Sequence, residues 1–324
     1  MNVALDKHLK DFLDLEPELE DFRTAILEGL AKPRKATPAK FFYDEEGSRL
    51  FEQICELQEY YPTRTECGIL RDNAETIRGL LPEGAVVIEF GSGSADKIRL
   101  FVQALRRPKG YVPIDISRDH LLHNAAAFAS EHPEMEVAAV CADFTRPIRL
   151  DDVAPAGPRV GFFPGSTIGN LTKDEAARFL EGATRTLGRG GHLVIGVDLV
   201  KDAAVLEAAY DDAEGVTAAF NLNLLARINR ELDGDFELNA FRHRAVWNAG
   251  EERIEMHLVS LADQSVTVAG RQFDFREGET LHTENSHKYT LDGFRRLAEG
   301  AGFRTVRSIT DANELFSVHV LEVA

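Results

Sequence analysis

Cysteine is scarce in this sequence. The 324 residues include three, Cys55, Cys67 and Cys141, with no C-x-x-C spacing. That argues against a disulfide framework or a thiolate zinc site, and a reducing cytoplasm is the expected compartment. Positive charge is short as well: 37 Lys and Arg face 54 Asp and Glu, a formal net charge of −17. A surface this acidic repels nucleic acid and anionic membrane and suits a small zwitterionic or cationic substrate. No apolar run reaches membrane-spanning length. The first residues, Met1-Asn2-Val3-Ala4-Leu5-Asp6-Lys7, contain no apolar signal core. There is no H-E-x-x-H, G-x-S-x-G or P-loop pattern, no internal repeat and no low-complexity segment. The ten histidines show no tight pairing, so no metal is expected. No obligate protein partner is implied.

What the chain does have is apolar mass, 44% of its residues, and one organising stretch, Val86-Val87-Ile88-Glu89-Phe90-Gly91-Ser92-Gly93-Ser94-Ala95-Asp96-Lys97. It reads as strand, glycine turn and helix, the opening of a nucleotide-type α/β fold. Gly91 and Gly93 permit a tight turn and close approach of a ligand. A dinucleotide site wants a third glycine where Asp96 stands, and a pyrophosphate would meet that acid's charge. S-adenosylmethionine carries no phosphate and tolerates the acid, so the stretch favours it over NAD. A ligand-free turn is the plainer reading.

From 85 to 200 strands and helices alternate. Strands are predicted at 85–90, 110–115, 136–141, 159–163 and 191–197, helices near 96–106, 118–130, 172–186 and 203–213. Alternation of this kind builds a parallel sheet covered on both faces, with ligands at the carboxyl ends of its strands. Asp115 ends the second strand and can accept from ribose hydroxyls, which supports a nucleoside without choosing one. Asp143-Phe144 follows the third strand and can take an adenine amino group and its ring. The loop acid and the helix cap are the plainer alternatives for these two aspartates. Gly165-Ser166-Thr167-Ile168-Gly169-Asn170 ends the fourth strand, with Thr172 or Asn170 as cap of the next helix.

Residues 5–30 have broadly helical spacing, broken near Pro17. Thr63-Arg64-Thr65-Glu66 reads as a capping box opening a helix, with Tyr61 extended just before it. Residues 215–232 read as a helix, and 235–280 as a β-rich insert with glycines near its turns. A helix at 291–301 and strands at 305–310 and 316–323, close enough to pair antiparallel, end the chain. A parallel start closed by an antiparallel hairpin is the pattern of class I (Rossmann-like) methyltransferases. The expected fold is therefore an α/β sheet of that type with an antiparallel last strand, plus a second α+β substrate lobe. The expected domains are an N-terminal helical part of the substrate lobe (1–61), a methyltransferase domain (62–204), a β-rich insert of the substrate lobe (205–285) and a return to the first domain (286–324).

Taken in order, the motifs resemble a known family. Phe42-Tyr43-Asp44 with Gly47-Ser48 and Leu50-Phe51, then Glu59-Tyr60-Tyr61-Pro62-Thr63-Arg64, are similar to the N-terminal signature of the ergothioneine-pathway L-histidine N-alpha-methyltransferases. Glu89-Phe90-Gly91-Ser92-Gly93, Gly165 to Asn170, Ala209-Tyr210-Asp211-Asp212 and Thr283-Glu284-Asn285-Ser286 look like that family too. The resemblance implies S-adenosylmethionine-dependent trimethylation of the histidine α-amine to hercynine. It implies donor binding by Glu89, Gly91, Gly93, Lys97, Asp115, Asp143 and Phe144. It implies histidine binding by Tyr61, Asn170, Tyr210, Met256, Glu284 and Ser286, with Tyr61 and Tyr210 nearest the chemistry. The alternative is the same fold acting on another amino acid such as tryptophan or a derivative. An NAD-linked oxidoreductase and a non-catalytic binding protein of this fold are the other classes to separate.

Overall fold

In the computed structural model residues 9–17, 21–92 and 95–324 are described. Gly93, expected at the glycine turn, lies outside the described residues. The chain divides into two compact units. Unit 1 comprises Met1–Leu19, Arg64–Leu199 and Tyr289–Ala324, and unit 2 comprises Glu20–Thr63 and Val200–Lys288.

The strands in chain order are β1 (Asp11–Asp14), β2 (Val86–Phe90), β3 (Gly110–Asp115), β4 (Glu136–Cys141), β5 (Arg159–Phe163), β6 (His192–Asp198), β7 (Phe241–Asn248), β8 (Arg253–Ser260), β9 (Gln264–Val268), β10 (Arg271–Phe275), β11 (Thr280–His287), β12 (Phe303–Thr310) and β13 (Phe316–Val323).

Unit 1 is built on an eight-stranded sheet of order β1-β4-β3-β2-β5-β6-β13-β12. The strands from β1 to β6 in that order run parallel, and β13 and β12 run antiparallel. This is the class I methyltransferase type of sheet. Strands buried on both faces read as continuous apolar runs, and β2 is buried at every position. Its alternate residues feed two cores. Val86, Ile88 and Phe90 join Phe179, Leu180 and Phe294 on one face. Val87 joins Phe101, Leu121, Phe128 and Phe162 on the other. Phe101 and Phe162 stack at 4.4 Å. The strand order reverses beside β2, so the crevice expected at the carboxyl ends opens next to Gly91.

Two local expectations are corrected. Residues 11–14 are not helical. They form β1, which pairs with β4 from Asp11↔Ala138 to Asp14↔Cys141 and belongs to unit 1 rather than to an N-terminal helical part of the substrate lobe. Extended backbone sends Phe12 and Leu13 to opposite faces, and each packs on a different core. Helical structure starts later, at Phe22–Ala31, capped by Asp21. The second correction concerns Thr63 and Glu66. The helix runs Tyr61–Asp72, so Tyr61 opens it rather than preceding it and no capping box forms. Pro62 is tolerated there because first-turn N–H groups have no helical partner. Glu66 is buried and pairs with Lys97 at 2.7 Å. It also accepts from the Gly165 backbone N–H at 2.9 and 3.1 Å. The expected cap at Thr172 is present as a full capping box with Glu175.

Unit 2 holds a three-stranded antiparallel sheet, β11-β8-β7, a β9–β10 hairpin, and helices that include Glu45–Glu56, Ala203–Tyr210 and Val216–Leu232. Asp44 caps the first of these through the Gly47 N–H at 2.7 Å and also accepts from Asn223 at 2.8 Å. Asp212 accepts from the Val216 and Thr217 N–H groups at 2.9 and 2.7 Å, the first of the last helix, whose N-cap is Gly215. The Phe42-Tyr43-Asp44 and Asp211-Asp212 motifs thus each contain an acid that satisfies first-turn N–H groups of a helix.

Gly196 of β6 makes room for Glu66: a Cβ there would meet Glu66 Oε1 at 1.9 Å and the Phe316 ring at 3.0 Å. Gly196→Ala should destabilise the protein by about 1–3 kcal/mol, the usual cost of overpacking. Urea midpoints measure this, and an unchanged midpoint would show that Glu66 is not seated against β6.

Candidate active site

On the donor side, in unit 1, Gly91 adopts φ +80° at the end of β2, and its N–H reaches Ile114 O at 2.9 Å. A Cβ there would meet the Phe144 ring at 3.3 Å, so glycine and Phe144 share one wall. The Phe144 ring leans edge-on against Phe163 and Phe179. Asp115 ends β3, and its Oδ1 accepts from the Ser117 N–H at 2.8 Å. Burial raises its pKa, against the Ser117 N–H, which lowers it. Asp143 Oδ1 is taken up by Thr145, N–H at 2.9 Å and hydroxyl at 2.6 Å. The loop-acid reading therefore accounts for one of its oxygens.

Lys97 is buried against Glu66. A Cβ on Gly165 would meet its Nζ at 3.3 Å. Gly165 and Ser166 both have positive φ, +78° and +54°. A non-glycine residue there is strained, and such strain gathers at functional loops. Ser166 Oγ repays part of it by accepting from the Asp198 N–H at 2.9 Å. The loop ends in the short helix Thr167–Asn170, where Asn170 is exposed. Sequence reasoning took Lys97 as a donor ligand and Glu66 as a cap, and missed that the two together brace this loop.

On the substrate side, in unit 2, four of the expected residues gather on β8, β11 and the helix ending at Tyr210. Glu284 of β11 pairs in register with Met256 of β8, so their side chains share one face. Ser286, two residues on, is 2.8 Å from the Tyr210 hydroxyl. Lys288 completes the group: its Nζ donates to both Tyr210 OH and Ser286 Oγ at 2.9 Å while 2% exposed. Lys201 likewise donates to Tyr61 OH at 2.6 Å and lies over that ring at 4.5 Å. Rings run edge-to-face from Tyr43 through Phe51 and Tyr60 to Tyr210. Burial raises the Glu284 pKa to about 7, with Lys288 pulling it down. Lys288, Lys201, Tyr43 and Tyr60 were not singled out from sequence. Lys288 had a readable signal, since 284, 286 and 288 alternate along one extended run.

Comparison with known proteins identifies the family. The family model for histidine-specific, SAM-dependent methyltransferases matches residues 22–323. The chain belongs to this methyltransferase family. It is 43% identical over 309 residues to a histidine N-alpha-methyltransferase of Mycolicibacterium smegmatis, covering 94% of this chain and 95% of that one. Identity to the Mycobacterium tuberculosis enzyme of the same name is 42%, covering 89% and 91%. The ergothioneine biosynthesis protein 1 of Neurospora crassa is 31% identical over 88% of this chain and 33% of its own length. As a family member the chain is an S-adenosylmethionine-dependent methyltransferase. Among the described residues no helix is long and apolar enough to cross a membrane.

Glu89, also expected on the donor side, is buried in β2, where the Tyr111 hydroxyl donates to Oε2 and Oε1 has no partner. Burial raises its pKa to about 8, with the Tyr111 bond opposing and Asp115 adding. The unfolded chain releases this proton near 4.5, while the folded chain holds it. Stability is therefore lost as pH rises from about 4.5 through about 8. Glu89→Gln has no such proton, so its stability relative to the parent should climb across that window by at most about 1.4 kcal/mol per pH unit. Denaturant midpoints at pH 5 and pH 8 test this. A difference independent of pH would mean that Glu89 is ionised in the folded protein.

Proposed function

We propose that this chain transfers three methyl groups from S-adenosylmethionine to the α-amino nitrogen of L-histidine, giving hercynine for ergothioneine biosynthesis. The observation that carries the reading is the Glu284–Met256 cross-strand pair beside Ser286, Tyr210 and Lys288. A carboxyl poised near 7 accepts from an imidazole N–H, Ser286 bonds the other ring nitrogen, and Met256 supplies adaptable apolar contact. Asn170 presents its amide to the substrate carboxylate. Tyr61 and Tyr210 offer hydroxyls whose orientation Lys201 and Lys288 fix.

Donor binding falls to unit 1. Asp115 accepts from the ribose hydroxyls, the Gly91 turn takes the donor's backbone-like tail, and Asp143 with Phe144 holds adenine. Lys97 acts through Glu66 and the Gly165 loop. Acids in this crevice suit a sulfonium cation and oppose a pyrophosphate. The amine lone pair forms the N–CH3 bond in line as the S–CH3 bond breaks, and S-adenosylhomocysteine leaves. The amine must be neutral beforehand, and its proton passes to water. Positioning supplies much of the rate.

Mass spectrometry of purified protein with S-adenosylmethionine and a panel of amino acids tests the substrate. Glu284→Ala should lower histidine kcat/KM roughly 10- to 100-fold, the range of a hydrogen bond to a charged group, with donor affinity kept. Glu284→Ala with Met256→Val should admit larger aromatic amino acids. Histidine activity equal to the parent's would move tryptophan-like substrates ahead. Asp115→Ala should weaken calorimetric donor affinity by about 2–3 kcal/mol. With chemistry rate-limiting, the rate should rise from pH 6 to 9; a flat profile would argue that the amine is already neutral when bound or that another nitrogen is methylated.

A further inference from the structure

The two strands that carry Met256 and Glu284 have a second face. Glu255 and His257 stand two residues apart on β8, and both point away from the Met256 side. Across the ladder His282 pairs with His257, and Asn285 pairs with Glu255. A bulge between His282 and Glu284 lies between these two rows. The result is a grid of two imidazoles, a carboxylate and an amide. One ligand atom from each of Glu255, His257 and His282 lies within 4.8 Å of the others.

The details match metal ligation. His257 Nε2 and Glu255 Oε2 are 3.1 Å apart, close to the spacing of adjacent ligands around an ion bound at about 2.0–2.2 Å. Asn248 and Arg253 hold Glu255 Oε1, which leaves Oε2 directed at the imidazoles. His282 Nε2 is 3.0 Å from the Glu284 carbonyl oxygen. Donation to that oxygen fixes the proton on Nε2 and leaves Nδ1 as a lone pair, the usual outer-shell device for a ligating histidine. Asn285 Oδ1, beside this set, is buried without a hydrogen-bond partner, a costly state unless something binds there. The rings stack 4.7 Å apart at 26°, so a shared ion requires one ring to swing out of the stack. Arg253 on β8 and Arg244, opposite His257 on β7, are the cations that oppose a dication here.

We propose that Glu255, His257 and His282 bind one divalent transition-metal ion of the zinc type, clipping β8 to β11 across the bulge on the face opposite Glu284 and Met256. Two nitrogens and one oxygen suit zinc, nickel or cobalt and not magnesium or calcium. Asn285 Oδ1 or water completes the shell. The ion is structural: it pins the register that sets Glu284 beside Met256.

Calorimetric titration of the chelator-stripped protein with zinc chloride tests this. The expected result is one ion per chain, with His257→Ala and His282→Ala each weakening it by more than roughly tenfold, since even outer-shell partners count for 10–100-fold. His132→Ala, at a separate histidine–glutamate pair, should leave it unchanged. Zinc should raise the melting temperature of the parent and not of the His257→Ala variant. Absence of stoichiometric binding, or binding indifferent to both grid histidines, overturns the proposal. Should those variants fail to fold by circular dichroism, X-ray absorption of the cobalt-loaded parent decides: two imidazole ligands uphold the site, fewer reject it. None of these readouts depends on methyl transfer.

Discussion

A single buried carboxylate organises the donor unit. Glu66 is 1% exposed, and a charge so placed is costly unless it is paired and hydrogen-bonded. Its partners come from three separated parts of the chain: Lys97 on the helix after the glycine turn, the N–H of Gly165, and the empty face of Gly196 in β6. Satisfying one charge therefore fixes a helix, a strand and a strained loop together. Removing one partner of such a pair would strand the other, a loss of about 3–5 kcal/mol. That pairing anchors the loop in which Ser166, a non-glycine residue, sits at positive φ.

The substrate unit rests on a different constraint, the period of two along a strand. On β8, Ile254, Met256 and Leu258 are buried on one side, while Arg253, Glu255 and His257 form a polar network on the other. Slipping β11 by one residue would exchange its faces and move Glu284 from Met256 to the histidine side. The bulge at His282–Glu284 is the one place where that register is not repeated, so whatever holds the grid around it also holds Glu284 beside Met256.

Much of this was legible in the sequence, for physical reasons. The central strands are buried on both faces, so their apolar runs are unbroken and their bounds are sharp. The closing hairpin and the long helix Val216–Leu232 follow from local pattern. What was not legible is what distant residues decide. β1 has only four residues, and it becomes a strand through β4. Glu66 carries a cap pattern, yet a buried lysine outbids a local N–H. The Glu284–Met256 pairing followed from family resemblance, not spacing, because strand register lies beyond local sequence. The histidine grid was hidden for the same reason: His257 and His282 meet only across the ladder.

Lys288 shows how far these constraints reach. A lysine 2% exposed would ordinarily shed its proton or find a carboxylate at contact distance. Lys288 donates to the hydroxyls of Tyr210 and Ser286, and its ammonium lies over the Tyr210 ring at 4.7 Å. Its charge also pulls Glu284 down, a carboxyl that burial raises to about 7, so one buried lysine both orients a pair of hydroxyls and biases an acid of the same extended run toward ionisation.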